Sequence, residues 1–458
     1  MLLTTLALVA TATPFVAGSV APLRRRSNRQ SNPAPMTATG NAVVFDVEVQ
    51  FGDQPFLLLV DTGSSDTWVV KTDFQCVNAT DNSDLPQEQC LFGPTYDVPS
   101  DMQYVKNQTF GVQYGTGIAV GKVGYENITI GGITVPNQKV GIVDRSTDKG
   151  DGINSGILGL GYPPLTSAHY GSTLDNSSLL LNRAIYDPTF VSMYKNDLVD
   201  SWYSMAIERL PQNVSTGPGG WLGLGELPPV AHSNDWAIAP IEVTKGLPDV
   251  YTGGIDQITL MTLSVDSITW GSRSKTSSRT TNSTSFQAVV DSGNQMNMVP
   301  QEVADEINAQ FDPPAVYNEE AGIYVVDCNA KSPALGIEID GHTFWHQSAD
   351  MIIQDASTGF CYSSLNSPAV GSGVTLQFLG DAFLKNVVSV FDFGKDEMRF
   401  AARTGGNGTT GGKGNGTSSG NGNDDDKTPV SSDGHALATG LWSIASLALL
   451  TQAAAALL

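Results

Sequence analysis

The stretches FLLLVDTGSS (residues 56–65) and FQAVVDSGNQ (residues 286–295) decide how this chain folds. In each stretch an apolar run of strand length leads to an acidic residue, Asp61 or Asp291, and then into a turn that contains glycine. This pattern predicts a buried strand that delivers a carboxylate to the rim of a packed core. A single Asp-Thr-Gly is more often an ordinary turn, so the prediction depends on there being two copies.

Each copy has a matching partner farther along the chain. Ile157-Leu158-Gly159 follows the first acidic triplet, and Phe378-Leu379-Gly380 follows the second. The chain therefore carries an internal duplication, with one Asp in each half. Short β-branched segments between glycine-rich turns, such as 43–49 and 128–130, predict that the protein consists mainly of strands.

The chain resembles the pepsin-like aspartic proteases over residues 46–403, which is most of its length. Several motifs carry the resemblance, and they occur in the order that the family has. They are Asp61-Thr62-Gly63-Ser64-Ser65, Trp68, Tyr114-Gly115-Thr116-Gly117, 155–163, 378–384 and 390–392. The resemblance implies a mainly β, bilobal fold of the pepsin-like acid proteases, in which two similar β-rich lobes enclose the active cleft.

The resemblance also implies the chemistry, with Asp61 and Asp291 as the predicted catalytic pair. Two carboxylates held close together do not both ionise, so they share one proton and titrate as a pair. One member takes a proton from an attacking water while the other hydrogen-bonds the peptide carbonyl, and the sequence does not assign the two roles. We therefore expect an aspartic endopeptidase that acts on peptide or protein substrates and uses neither a cofactor nor a metal.

Two further residues are predicted to support the pair. Ser64 stands three positions after Asp61, where the family's hydroxyl donates to the outer oxygen of the carboxylate. At the matching position after Asp291 the family usually has Thr or Ser, whereas this chain has Asn294. An Asn amide can also donate to a carboxylate, so we expect Asn294 to take that role. The departure leaves an alternative function open, a catalytically weak or inactive pepsin-like binding protein of the cell surface.

The substrate side of the cleft is predicted from one hairpin and one aromatic residue. Tyr114, Gly115 and Thr116 match the family's flap, a hairpin that closes over the substrate and excludes water. Trp68 resembles the residue whose indole fixes the Tyr hydroxyl, and a plain core Trp is the alternative. We expect these four residues to form the flap and part of the substrate-binding site.

The composition limits the classes of partner. The chain has 46 acidic and 24 basic side chains, which give a formal net charge of −22. Nucleic acids and anionic membrane surfaces bind basic patches, so this balance argues against both as partners. We expect a monomer that meets peptide substrates and no nucleic acid.

The N-terminal segments predict secretion. Residues 1–18 combine an apolar run with small residues at its end, which is typical of a signal peptide, with a transmembrane anchor as the alternative. Residues 19–37 contain Arg24-Arg25-Arg26, which we interpret as a processing site in a short basic propeptide or as an uncleaved charged run. The N-terminal lobe is then predicted over 38–210 and the C-terminal lobe over 211–403.

The C-terminal segments predict a lipid anchor. Residues 404–432 are rich in Gly, Asn, Ser and Thr, which is typical of a flexible linker. Residues 433–458 add a spacer and an apolar tail, the layout of a GPI-attachment signal, with a tail-anchored helix as the alternative. The acceptor is one of Ser431, Ser432, Asp433 and Gly434, and among these we predict Ser432. Attachment there would place the protein on the extracellular face of the plasma membrane or in the cell wall. This layout is similar to that of the fungal yapsin-like aspartic proteases.

Four cysteines in a secreted chain predict two disulfides. Three pairings are formally possible. The shorter loops favour pairing within each half, Cys76 with Cys90 and Cys328 with Cys361, and the second pair also matches the pattern of the resembled family.

Asn-x-Ser/Thr sequons predict that several loops are glycosylated. The candidate acceptors are Asn78, Asn107, Asn127, Asn176, Asn213, Asn282, Asn407 and Asn415. Their distribution over both predicted lobes and the linker agrees with a chain that passes through the secretory route.

Overall fold

The computed structural model describes most of the chain between residues 33 and 404. The described residues are 33–79, 81–114, 117–147, 150–173, 182–211, 214–247, 249–356, 358–368 and 376–404. Several predictions concern residues outside these ranges. They are those on the signal peptide, Arg24-Arg25-Arg26, Gly115, Thr116, Asn176, Asn213, Asn407, Asn415, Ser432 and the predicted anchor signal.

Strands dominate the described residues. The first group is β1 (Ala34–Thr39), β2 (Val44–Phe51), β3 (Gln54–Asp61), β4 (Thr67–Val77), β5 (Asp84–Leu85), β6 (Gln103–Tyr114), β7 (Gly117–Ile130), β8 (Ile133–Ser146), β9 (Gly156–Gly159) and β10 (Ala168–Tyr170). The second is β11 (Trp202–Ile207), β12 (Gly217–Leu224), β13 (His232–Pro240), β14 (Thr262–Val265), β15 (Ser267–Gly271), β16 (Thr280–Asn282), β17 (Phe286–Val290) and β18 (Asn297–Met298). The last is β19 (Val316–Asn318), β20 (Ile323–Val325), β21 (Ala334–Ile339), β22 (His342–Trp345), β23 (Ile352–Gln354), β24 (Cys361–Ser363), β25 (Leu365–Asn366), β26 (Gln377–Leu379), β27 (Val387–Asp392) and β28 (Glu397–Arg403).

Helices are few and short in the part of the chain that the structure describes. The α-helices are α1 (Thr189–Lys195), α2 (Asp249–Thr252), α3 (Gln301–Asn308) and α4 (Asp381–Leu384). Short 3-10 helices cover Gln87–Cys90, Pro163–Leu165, Thr276–Ser278 and Ser348–Asp350. None of the helices within the described ranges has the length and apolar character needed to span a bilayer.

One large sheet builds the first lobe and joins it to the second. Its strand order is β10-β6-β7-β8-β4-β9-β3-β2-β1-β12-β11-β27-β28-β13. The second lobe has smaller sheets of its own, in the orders β14-β17-β26-β18-β25, β16-β15-β21-β22 and β19-β20-β24-β23. The predicted mainly β fold with two β-rich lobes is therefore confirmed.

The sheet between the lobes draws strands from distant parts of the chain. β1 pairs with β2 of the first lobe on one side and with β12 on the other. The predicted start of the first lobe, residue 38, lies inside β1, and the predicted boundary at residue 210 lies in the connection between β11 and β12. Tyr203 and Phe391 stack within this sheet with their ring centroids 4.8 Å apart, and both are fully buried.

The internal duplication is visible in the strand pairing. β3 pairs in parallel with β9, which sets Val60 opposite Leu158, and β17 pairs in parallel with β26, which sets Val289 opposite Phe378. After Asp61 the chain continues into β4, which pairs antiparallel with the other side of β9. After Asp291 it continues into β18, which pairs in the same way with β26.

Glycine is required where these loops cross the partner strands. A Cβ on Gly159 would lie 2.5 Å from the amide nitrogen of Asp66, and one on Gly380 would lie 2.2 Å from the carbonyl oxygen of Asn294. Real Cβ atoms do not approach backbone atoms so closely. The glycines of the two downstream motifs therefore let each Asp loop close tightly over its partner strand.

Disulfides tie down one edge of each lobe. Cys76 is bonded to Cys90, and Cys328 is bonded to Cys361. This is the pairing within each half that the shorter loops favour. Among the described sequons, Asn107 and Asn127 are exposed, while Asn78 and Asn282 are partly covered.

One acid is buried inside the first lobe. Asp46 of β2 is fully buried, and neither of its carboxyl oxygens accepts a hydrogen bond in the described part of the chain. The Thr39 hydroxyl donates to Asp151 instead. Burial, together with the nearby charge of Asp151, raises the pKa of Asp46 to about 8. The core of this lobe therefore holds a carboxyl group that keeps its proton well above the usual range.

Candidate active site

The two predicted acids meet at the centre of the molecule. Asp61 ends β3 and Asp291 directly follows β17, and their side chains are only 7% and 6% exposed. A Cβ on Gly63 would lie 2.6 Å from Oδ1 of Asp291, and a Cβ on Gly293 would lie 2.6 Å from Oδ1 of Asp61. Each carboxylate therefore packs against the loop glycine of the opposite lobe, where any side chain would push it away.

The two acids accept the same kind of backbone hydrogen bond. The amide of Gly63 donates to Oδ1 of Asp61 at 2.8 Å, and the amide of Gly293 donates to Oδ1 of Asp291 at 2.9 Å. Each bond spans two residues and fixes the carboxylate plane relative to its own turn. The duplicated triplets thus give duplicated local geometry.

A reciprocal hydroxyl network joins the two turns. The Thr62 hydroxyl donates to the carbonyl of Val290 at 2.8 Å and accepts from the amide of Ser292 at 3.0 Å. The Ser292 hydroxyl in turn donates to the carbonyl of Val60 at 2.7 Å and accepts from the amide of Thr62 at 3.1 Å. All four bonds cross between the lobes and are buried. They fix the distance between the two acidic turns.

Sequence reasoning missed this role of Thr62 and Ser292. The available signal was a hydroxyl residue at the second position of both triplets. A buried hydroxyl needs partners, and two such residues related by the duplication can satisfy each other.

The side-chain support of the pair is unequal. The Ser64 hydroxyl donates to Oδ2 of Asp61 at 2.5 Å. Asn294 is buried, and its side-chain oxygen accepts from the amide of Met296 at 3.1 Å. Its side-chain nitrogen makes no hydrogen bond with any described residue. The structure therefore does not place Asn294 as the expected donor to Asp291, because its amide oxygen is engaged by its own turn.

Burial and the unequal hydrogen-bond donors shift the pKa values of the two acids. Burial raises the pKa of Asp61, while the donors Ser64 and Gly63 act against the rise by stabilising the ionised form. Burial and then the charge of Asp61 raise the pKa of Asp291 well above its usual range. The pair therefore holds one proton in common, and the geometry favours Asp291 as the residue that carries it.

Tyr114 is held beside the pair by Trp68. Tyr114 ends β6, and the indole nitrogen of Trp68 donates to its hydroxyl at 2.7 Å. Burial, and then the charges of Asp66 and Asp61, raise the pKa of Tyr114 well above its usual range, so the phenol stays neutral. The structure brings both residues to the candidate site, whereas Gly115 and Thr116, which follow Tyr114 in sequence, lie outside the described residues.

Asp66 is a further residue that the sequence reasoning did not single out. Its carboxylate is buried and accepts the Tyr186 hydroxyl at 2.5 Å and the Ser167 amide at 2.9 and 3.0 Å. Burial raises its pKa, and the hydrogen bonds oppose the rise. Asp66 thereby attaches the segment around Ser167 and Tyr186 to the loop that carries Asp61.

The described residues contain no cluster of three His, Cys, Asp or Glu side chains suited to a metal ion.

Comparison with known proteins places this geometry in a family. The model of the family described as eukaryotic aspartyl protease matches residues 44–403. A probable aspartic-type endopeptidase of Aspergillus fumigatus is 38% identical over 388 residues, which cover 82% of this chain and 82% of that protein. Gastricsin of Rattus norvegicus is 28% identical over 366 residues, which cover 77% of this chain and 79% of that protein.

A solved structure shows the same fold. The aspartic proteinase from Irpex lacteus matches with a TM-score of 0.59 at 20% sequence identity, over 82% of this chain and 98% of that chain. At this identity the likeness bears on the fold alone. It agrees with the bilobal arrangement of strands described above.

Replacing Thr62 by Val tests the reciprocal network. Thr62→Val keeps the shape of the side chain but leaves the Val290 carbonyl and the Ser292 amide without their partner. Each unsatisfied buried group costs about 1–3 kcal/mol, so the free energy of unfolding measured by urea denaturation should fall by that order or more. Thr129→Val is the matched control, because its hydroxyl pairs with Thr134 at 2.8 Å on an exposed hairpin. An equal loss in both variants would contradict the role assigned to Thr62.

Replacing Asn294 tests the unequal support of the pair. Asn294→Thr should supply a hydroxyl donor to Asp291, as Ser64 does for Asp61. A donor stabilises the ionised carboxylate, so the higher of the two apparent pKa values of the pair should fall. The measurement is a pH titration of carbon-13-labelled aspartate followed by NMR. Asn294→Ala, which removes the amide without adding a donor, should leave that pKa high, and equal shifts in the two variants would argue against the donor explanation.

Proposed function

The chain belongs to the eukaryotic aspartyl protease family and is an aspartic-type endopeptidase, and from this we propose that it is a secreted, GPI-anchored enzyme that cleaves peptide bonds at acidic pH. One observation carries the catalytic part of the proposal. Two buried carboxyl groups from different lobes face each other, and their hydrogen-bond donors are unequal.

The unequal donors support a division of the two roles in peptide hydrolysis. Asp61, with Ser64 and Gly63 donating to it, is the ionised member and takes a proton from the attacking water. Asp291 carries the shared proton and donates it in a hydrogen bond to the peptide carbonyl oxygen as negative charge develops there. The leaving nitrogen then receives a proton from the pair, which returns to its singly protonated state. The working pH range is that in which the pair holds one proton.

Tyr114 would complete the site on the substrate side. Trp68 donates to the phenol oxygen, and this fixes the ring beside the pair. The hairpin that carries Tyr114 pairs strand β6 with β7. Closure of such a hairpin over a peptide would exclude bulk water and strengthen the electrostatic interactions at the pair.

A second candidate function is a cell-surface protein that binds peptides or wall components in the same cleft without cleaving them. Asn294 favours it, since Asp291 lacks the side-chain donor that Asp61 has. The catalytic proposal is preferred because a missing donor to the protonated member leaves the pair able to share its proton.

Substitution of either acid tests the catalytic proposal. Asp61→Asn or Asp291→Asn should lower cleavage of a peptide library by at least about 100-fold at every acidic pH, because each removes one half of the acid–base pair. The fold should survive, since Asn has the same shape as Asp. Circular dichroism and thermal unfolding of the purified variants would check this.

The control for these substitutions is Asp53→Asn, an exposed acid in the turn between β2 and β3, which should cleave like the wild type. Full cleavage by either pair variant would remove Asp61 and Asp291 from the catalytic role. A wild type without cleavage between about pH 2 and 7, where such a pair titrates, would favour the binding protein.

The anchoring part of the proposal is supported by sequence composition. The folded strands end with β28 at Arg403, and the following residues through Lys427 are almost free of apolar side chains. The apolar tail to residue 458 comes only after small residues at 431–434. A flexible linker of this kind would hold the two lobes away from the membrane or wall.

Enzymatic release tests the anchor. Phosphatidylinositol-specific phospholipase C should free the full-length protein from the surface of a eukaryotic host, because it cuts the lipid that a GPI anchor shares with the membrane. A chain truncated after Lys427 should be secreted and active, as the linker follows the last strand. Protein that resists the phospholipase and is extracted only by detergent would indicate a tail helix instead. An inactive truncated chain would show that residues after 427 belong to the folded enzyme.

A further inference from the structure

A largely buried lysine lies at the C-terminal end of the helix that begins with Asp381. Lys385 directly follows α4 and is only 9% exposed. Its ammonium group forms no hydrogen bond and no ion pair with any residue that the structure describes. Its nearest aromatic neighbour is the Phe45 ring, whose centroid is 5.9 Å away. Burial lowers the pKa of Lys385, and the charges of Asp381 and Asp350 oppose that fall. An anion in contact with the ammonium would stabilise its charged form further.

The lysine lines a cavity of about 160 Å³ between the lobes. Asn41 and Val43 of the first lobe, Arg209 before β12, and Gln295 of the loop after Asp291 line the same cavity. The Gln295 side-chain oxygen accepts the Tyr362 hydroxyl at 2.9 Å, and its nitrogen bonds to none of the described residues. The lining of the cavity thus includes an ammonium and an amide donor.

Asp350 and Asp381 act on the charge of Lys385, but neither forms a direct ion pair with it. Asp350 already accepts both branches of the Arg209 guanidinium, at 2.7 and 2.5 Å, and the side-chain amide of Asn386 at 2.9 Å. Arg273 also faces Asp350, so that acid has two cations of its own.

Asp381, one turn before Lys385, is fully buried, and neither of its oxygens accepts a hydrogen bond in the described part of the chain. Burial raises the pKa of Asp381 well above its usual range, with Lys385 acting against the rise. Burial also lowers the pKa of the nearby His346 to about 4, so this ring is neutral above that pH. The charged side chains that line the cavity itself are Lys385, Arg209 and Asp350, two cations and one acid.

We propose that this cavity binds one carboxylate, held by the ammonium of Lys385 and the side-chain amide of Gln295. A single negative charge fits best, because Asp350 stands nearby and would repel a dianion such as sulfate or phosphate. The volume suits a short carboxylate. Two sources share this chemistry, a free small carboxylate and an acidic side chain of a bound peptide, and the second source rests on the proposed protease function.

Thermal unfolding tests binding without any measurement of activity. Sodium acetate is the probe, uncharged acetamide is its matched control, and a bulky sulfonate keeps the ionic strength constant. Ligand that binds only the folded chain raises Tm with concentration, so acetate should raise Tm in wild type while acetamide does not. Lys385→Met should abolish the acetate effect. Lys395→Met should keep it, because Lys395 is 62% exposed and lies outside the cavity.

A crystallographic measurement on the wild type keeps the test valid if Lys385→Met fails to fold. Bromide is a monoanion with an anomalous signal, and a soaked crystal should show a peak within about 4 Å of the ammonium nitrogen. Absence of both the acetate effect and the bromide peak would overturn the site. Equal acetate effects in the wild type and in folded Lys385→Met would also overturn it.

Matched substrates distinguish the two sources. The substrates are peptide pairs that carry either Glu or Gln at one position, with every position tested in turn. If the peptide supplies the carboxylate, the wild type should prefer Glu at one position. At that position, Lys385→Met should bring the ratio of kcat/KM for the Glu peptide to kcat/KM for the Gln peptide to about one. No preference at any position, with the acetate effect intact, would assign the cavity to a free carboxylate. A wild type that cleaves nothing would count against the protease function and leave the acetate result standing.

Discussion

Two carboxylates that repel each other must be held in contact away from water, and the rest of this molecule serves that constraint. Each lobe supplies one acid, so the distance between them depends on contacts across the lobes. The four hydrogen bonds of Thr62 and Ser292 provide those contacts through backbone groups next to the acids. Gly63 and Gly293 give the carboxylates room to approach. Beneath them, the sheet formed by β1, β12, β11, β27 and β28 makes the two lobes one body.

The two halves resemble each other more in their backbone geometry than in their side chains. Both acidic turns use the same parallel pairing and the same amide donors, yet only Asp61 has a hydroxyl from its own loop. A symmetric frame with unequal donors is suited to acid–base work, because it gives two chemically identical groups different proton affinities. Asn294 is thus a position at which the side chains of the two turns differ while the duplicated frame remains intact.

Much of the site could be predicted because its determinants are local. In each half the acid and its turn lie within ten residues of sequence, and in the first half so does Ser64. The motifs therefore specify them. Asn294 could not be placed from sequence, because whether its amide reaches Asp291 depends on the turn that ends at Met296. The partners of Asp66 lie about a hundred residues away, and no local pattern marks them. The crossing of β1 into the sheet between the lobes is likewise a long-range contact that no spacing reveals.

Asp46 makes the first lobe sensitive to proton concentration independently of catalysis. Its pKa is about 8 in the folded chain, against an ordinary value of 3.8 in an unfolded one, so the folded form binds a proton that the unfolded form releases. The stability gained from this difference is fully present below about pH 4 and is lost as the pH rises toward 8, by up to about 1.4 kcal/mol for each pH unit. The same buried carboxyl that is harmless in an acidic medium becomes a liability in a neutral one. The buried Asp46 therefore favours the folded first lobe most strongly in an acidic medium, whatever the active site does.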